Sequence, residues 1–185
     1  MDSSPIPPLS ASIRRICVVG TTGSGKSTLA RELARRINIP CIELDALHWE
    51  PNWKEAPREL THQRVEALTS GPEWVVDGNY SYLRDVVWPR LQAVVWLDYS
   101  LPVILWRLWY RTWKRSLTRE VLWGTNTERL WPQFFSKDSL FLWALQTYGR
   151  RKKTYSALLA SPEYAHLKVF HFKSPKETTE WLDKR

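Results

Sequence analysis

Cysteine, methionine and glycine are all scarce in this chain, with 2 Cys, 1 Met and 7 Gly among 185 residues. The two thiols, Cys17 and Cys41, have no partner spacing that suits metal binding or redox chemistry. Each lies in an apolar run, where cysteine acts as a small core residue. Long hydrophobic runs are missing too, since the longest, Leu101 to Trp106, is far too short to cross a bilayer. Residues 1–12 hold three prolines and four serines without a long apolar run or a basic leader. They read as a mobile tail and not a signal peptide, which points to the cytoplasm. No internal repeat or low-complexity segment is present, and 43% apolar residues are enough for one full core. The expectation is a single domain over residues 13–185.

Acidic residues are short in one half only. Residues 1–92 carry 11 Lys and Arg against 11 Asp and Glu, whereas residues 93–185 carry 16 against 8, so the whole excess of +8 lies in the second half. A phosphate-rich ligand, a nucleic acid backbone or an anionic membrane surface would each meet such a charge.

One stretch organises the rest. Gly20-Thr21-Thr22-Gly23-Ser24-Gly25-Lys26-Ser27-Thr28 fits the phosphate-loop pattern G-x-x-x-x-G-K-[ST] at every fixed position. The apolar run Ile16 to Val19 before it reads as a buried strand, and Lys26 to Ile37 after it reads as a helix with Leu29, Leu33, Ala34 and Ile37 on one side. Glycines there let main-chain N–H groups close on a phosphate, and the helix N-terminus adds partial positive charge. Lys26 can bridge terminal phosphates, and the Ser27 hydroxyl can complete the shell of a magnesium ion.

Further along, Cys41 to Asp45 reads as a short strand that ends in an acid at the crevice where such sheets bind ligands. Asp45 is therefore the candidate to meet the phosphoryl acceptor. It would act as a base if the acceptor is a hydroxyl and only position it if the acceptor is a phosphate. His48, Trp49 and Trp53 follow as possible acceptor contacts. Pro57 to Thr69 reads as a helix, and Trp74 to Asp77 as a strand whose terminal carboxylate, Asp77, is the metal candidate beside Ser27. Tyr82 to Leu91 reads as a short helix, and Ala93 to Asp98 as another strand whose acid, Asp98, is a second candidate for the metal but reads more naturally as the cap of the next helix. That helix, Pro102 to about Leu117, carries Arg107, Arg111, Arg115 and Arg119 at steps of four, with Trp106, Trp109 and Trp113 expected to face the core. Arg107, Arg111 and Arg115 are candidates to grip phosphate and neutralise charge in transfer. Periodicity breaks up from Thr118 to Asp138, which suits a mobile lid within about residues 112–153. Ser139 to Leu159 is helical again with the cluster Arg150-Arg151-Lys152-Lys153, Leu167 to Phe172 is a fifth strand, and Pro175 to Leu182 the closing helix. Five strands alternating with helices give an α/β fold, a parallel sheet covered on both faces.

The loop, the segments Glu43 to Trp49 and Trp74 to Tyr80, and the Arg107/Arg111 pair together resemble the adenylate-kinase-related phosphate-loop kinases. Within that group the chain is most similar to small proteins known as topology modulation proteins, from about Arg15 to Leu182. The resemblance implies a three-layer α/β/α fold with sheet order 2-3-1-4-5, ATP with Mg2+, and adenine held near Lys173, Ser174 and Pro175. It implies a small-molecule kinase acting on a nucleotide, nucleoside or other small acceptor. Asp77-Gly78 is followed by Asn79-Tyr80-Ser81 and not by the aromatic, Pro and Arg of adenylate kinases, while Asp45 is similar to the acid that shikimate, gluconate and nucleoside kinases place beside an acceptor hydroxyl. Two other readings stay open on charge and composition: a DNA-associated ATPase, and a nucleotide-dependent switch with weak turnover.

Overall fold

The computed structural model describes residues 6–118, 121–122, 126–127 and 139–184. Five short runs rich in β-branched and aromatic residues form the central sheet: β1 (Arg15–Gly20), β2 (Cys41–Glu43), β3 (Trp74–Asp77), β4 (Ala93–Leu97) and β5 (Lys168–Phe172). Every pairing is parallel and the spatial order is β2-β3-β1-β4-β5, the expected 2-3-1-4-5. All strands run the same way, so each must be joined by a crossover, and the helices of those crossovers cover both faces.

The period-two alternation of β1 divides the core. Ile16 and Val18 face one side, with Leu29 and Leu33 of α1 (Lys26–Ile37), Ile104 and Leu108 of α5 (Leu101–Thr118), and Trp181 of α7 (Pro175–Asp183). Cys17 and Val19 face the other, with Val65 of α3 (Arg58–Thr69), Val86 and Val87 of α4 (Arg84–Val87), and Tyr155 of α6 (Leu140–Leu159). Burial pushes the Cys17 thiol up to about 12 and that of Cys41 to about 11, so both stay protonated; Cys17 has the core role expected of it, whereas Cys41, on the edge strand β2, is only half-buried. Among the described residues no helix is long and apolar enough to cross a membrane.

Several elements depart from the sequence reading. β2 stops at Glu43, and Leu44–His48 is a one-turn helix, α2, which buries Leu44 and His48 four residues apart. Asp45 therefore sits in a helix turn and not at a strand end. The stretch Tyr82 to Leu91 is three consecutive short turns, Ser81–Leu83, α4 and Trp88–Arg90, because Pro89 cannot continue an α-helix. On α5 the buried positions are Ile104, Leu108 and Thr112, so Trp106, Trp109 and Trp113 point to solvent and not to the core. The segment read as a tail is packed from Ile6 onward: Leu9 is buried and the Trp181 indole N–H donates to Pro7 O at 2.8 Å.

Two small antiparallel ribbons complete the described chain, Trp49–Glu50 with Lys54–Glu55 and Val121–Leu122 with Asn126–Thr127. Most of the stretch expected to be a lid, Thr118 to Asp138, lies outside the described residues, Arg119 included. Asn126, itself buried, joins the two ribbons by accepting from Trp53 N at 2.9 Å and donating to Glu50 O at 3.1 Å.

Candidate active site

The loop Thr21–Gly25 hangs between the carboxyl end of β1 and the N-terminus of α1, a helix start with no side-chain cap. The uncapped N–H groups there need acceptors, and an anion supplies them. Backbone shape and crowding both demand glycine in this loop. Gly23 has φ 82°, and a Cβ there would stand 2.9 Å from Ile104 O and 3.1 Å from Leu108 Cβ. Gly25 has φ 94°, and a Cβ would meet Arg107 Nη1 at 3.0 Å. Thr21 O accepts from Ser24 N at 3.1 Å and from Lys26 Nζ at 3.3 Å, which curls the loop over the ammonium. Thr22 is half-buried in the loop, and Thr28 is exposed on the first turn of α1. The buried Ser24 hydroxyl has no hydrogen-bond partner among the described residues.

Acidic groups face this loop from β3 and α2. Asp77 ends β3, is buried, and accepts a hydrogen bond from the Ser27 hydroxyl. Oδ1 of Asp77 is buried with no hydrogen-bond partner among the described residues. Burial raises the Asp77 pKa against the opposing pull of Lys26, while burial lowers the Lys26 pKa against the pull of Asp77. A half-buried hydroxyl beside a buried carboxylate oxygen with no partner among the described residues is the donor set a small hard cation requires, so the residues present fit magnesium. Asp98, at the end of β4, is engaged elsewhere and does not cap α5 as expected. Its Oδ2 takes Lys152 Nζ at 3.0 Å and His171 Nε2 at 3.1 Å, and His171 stacks on Trp96 at 4.1 Å.

Asp45 is within electrostatic reach of both Lys26 and Asp77. Tyr80 Oη donates to Asp45 Oδ1 at 2.7 Å, and Tyr80 packs on the His48 ring at 4.7 Å. His48 Nδ1 lies 3.0 Å from Tyr82 Oη. Thus α2 and the chain after β3 build an aromatic wall around one fixed carboxylate. Trp49 meets Trp53 edge-on at 5.6 Å beyond it, on the ribbon that Asn126 holds.

Cations close the site from α5 and α6. Arg107 Nη1 donates to Ser24 O at 2.8 Å, and its guanidinium lies 5.5 Å from the Tyr99 ring centroid. Tyr99 Oη in turn pairs with Thr178 Oγ1 at 2.6 Å in the first turn of α7. The turn Lys173-Ser174-Pro175 is thereby tied to the Arg107 side of the loop. There Ser174 caps α7 by accepting from Glu177 N, and Lys173 N donates to Glu177 Oε2. Arg111, one turn after Arg107, is close enough to Lys26 to lower its pKa. Arg115 is one turn farther along the same helix, half-buried.

Arg151, which the sequence marks only as one of four clustered cations and gives no site role, donates to Gly20 O at 3.4 Å, acts electrostatically on Lys26, and has its own pKa pulled down by burial. The signal was the cluster Arg150 to Lys153. Helix phase separates its members: Arg151 turns to the loop, Lys152 to Asp98, and Arg150 and Lys153 to solvent. Asn79, whose Nδ2 reaches Gly20 O at 3.4 Å, and Tyr80 were also missed as contacts, although both belong to the Asp77-Gly78-Asn79-Tyr80 motif.

A family model described as AAA domain matches residues 16–129. The chain is 31% identical over 111 residues to a shikimate kinase of Sulfurihydrogenibium sp. strain YO3AOP1, covering 52% of this chain and 67% of that enzyme. It is 29% identical over 113 residues to a shikimate kinase of Nitrobacter winogradskyi, covering 51% of each. The chain thus spans about half to two thirds of the length of these relatives. Among solved structures, shikimate kinase from Acinetobacter baumannii in complex with shikimate aligns with a TM-score of 0.59 at 16% identity, over 94% of this chain and 91% of that one. A gluconokinase from Sinorhizobium meliloti 1021 aligns with a TM-score of 0.50 at 22% identity, over 94% and 93%. At such identities the structural likeness speaks of the fold.

Proposed function

The chain belongs to the AAA-domain family, among the small phosphate-loop kinases related to adenylate kinase, and from that membership we propose that it transfers the γ-phosphoryl group of ATP to a hydroxyl of a small acceptor. The observation that carries the choice of a hydroxyl is Asp45, a carboxylate fixed by Tyr80 in an aromatic recess within reach of Lys26. An acceptor hydroxyl is the group whose proton such a carboxylate can take, whereas a phosphate acceptor brings no proton that needs a base.

Each residue then has a role. The N–H groups of Gly23 to Ser27 and the N-terminus of α1 hold the β- and γ-phosphates, and Lys26 spans them as a point charge. Ser27 and Asp77 would hold magnesium, which neutralises phosphate charge and orients the phosphates when bound. Arg107 braces the loop from outside through the Ser24 carbonyl. Arg111 and Arg151 stand where negative charge builds on the transferring group, and Arg115 serves the same field from farther off. Asp45 takes the acceptor proton as its oxygen attacks the γ-phosphorus and the bond to ADP breaks. Adenine lies toward Lys173, Ser174 and Pro175, on the side that Tyr99 and Thr178 tie to Arg107.

The test is magnesium-dependent ADP release from ATP across hydroxy acids such as shikimate and gluconate, nucleosides, and nucleoside monophosphates. Stimulation by one hydroxyl acceptor, lost in both Lys26→Ala and Asp45→Asn, is the expected result. Stimulation by a monophosphate that survives Asp45→Asn would replace the hydroxyl acceptor with a phosphate. Turnover that responds only to DNA would overturn the kinase reading.

A further inference from the structure

The solvent face of α5 is apolar along its length. Trp106, Tyr110, Trp113 and Leu117 recur at i, i+4, i+7 and i+11, a stripe about 16 Å long directly opposite the buried Ile104, Leu108 and Thr112. Trp106 and Leu117 are 64% and 63% exposed, the extremes among the large apolar side chains described. Trp109 joins the stripe through stacking, 5.1 Å from Trp106 and 6.3 Å from Trp113 between ring centroids. The neighbouring helix α6 also turns Leu142 and Leu145 outward. None of these side chains serves the site described above.

Charge identifies what such a face meets. α5 and α6 carry eight Lys and Arg between them and not one Asp or Glu. Some of those cations point inward to the phosphate loop, but Lys114, Arg150 and Lys153 are exposed. Lys114 flanks the tryptophan stripe by its helix phase. Tryptophan and tyrosine with leucine between them, bordered by lysine and arginine and free of carboxylates, is the composition that settles at the headgroup level of an anionic bilayer. A second copy of this chain would bring the same sign of charge to the contact. Nucleic acid would meet the cations, but it offers little to Leu117, Leu142 or Leu145, and the indole faces it would stack on are already turned toward one another. We propose that the outer face of α5 docks this protein on the surface of an anionic phospholipid membrane, lying on it without crossing it.

Flotation with phosphatidylcholine vesicles, with and without phosphatidylglycerol, tests this on the full chain. The protein is expected to float with the anionic vesicles, less so as salt rises, and to stay behind with the neutral ones. The double variant Trp106→Ser/Trp113→Ser is expected to lower partitioning about tenfold or more. Lys114→Glu is expected to lower it about tenfold on anionic vesicles only. Should the double variant fail to fold by circular dichroism, Lys114→Glu and quenching of wild-type tryptophan fluorescence by brominated lipid still decide. No flotation with anionic vesicles, or equal flotation of wild type and variants, would overturn the proposal. So would a tryptophan-dependent dimer in sedimentation, or tryptophan-dependent DNA binding, in a protein that ignores the vesicles.

Discussion

Lys26 and Asp77 are each held where burial disfavours their own charge, a tension that a bound phosphate and cation relieve. Only anionic Asp77 can hold a metal, and its pKa is raised, so turnover should fall as pH drops through that raised value, before ordinary carboxylates protonate. Rate profiles against pH are expected to show this acidic limb in the native chain. Asp77→Asn should cut kcat/KM by about 10²–10³ and erase the limb from what remains. Tyr80 gives a second reading of the same site. It touches the proposed base and not the loop, so Tyr80→Phe should lower kcat about tenfold while leaving the KM for ATP near its native value, as initial rates at varied ATP would record. The residues that gather around the loop were largely legible as candidates, because Gly20 to Thr28, Asp45 and Asp77 sit in local motifs. Arg151 was not: in a run of four cations every direction around a helix is represented, and only packing decides which one meets the loop.

Among the elements, the strands and α1 could be read directly, since a strand buried on both faces is a continuous apolar run and α1 has a single apolar stripe. α5 has two. Ile104 and Leu108 fall at one helical spacing and Trp106 and Trp113 at another, so periodicity alone cannot say which stripe turns inward; the tight seat against Gly23, which leaves no room for an indole, decides for the smaller side chains. α2 escaped detection because five residues are too few to show a period. The ribbon Trp49–Glu55 was equally hidden. Its turn places Asn52 and Trp53 at φ 62° and 58°, a conformation that costs a side-chain-bearing residue about 1–3 kcal/mol and that Asn126 holds in place. Asn126→Ala removes the partners of Trp53 N and Glu50 O together. Amide hydrogen exchange should accelerate by about tenfold or more at Trp53, with little change in β1 or β4.

At the scale of the whole molecule, the sheet sorts the charges. One acid, Asp98, ties α6 to β4 and β5 through Lys152 and His171, which leaves Asp77 and Asp45 for the ligand side. The chain's front segment closes the opposite side of the core. Leu9→Ala should cost about 2 kcal/mol, seen as a fall of about 4–8 °C in Tm by calorimetry. A mere tail would give no change. One feature links the two ends of the charged half of the chain. α5, 18 residues long, rests on the loop at Gly23 by Ile104 and Leu108, with Arg107 bonded to Ser24 O beside them. Measured along the helix from midway between Ile104 and Leu108, Leu117 lies about 17 Å from that seat and Arg107 only about 1.5 Å. The helix is therefore a lever with a long outer arm and a short inner one. A sway of about 2 Å at the Leu117 end reaches the Arg107 position as only about 0.2 Å, so the 2.8 Å bond to Ser24 O survives movement of the outer face.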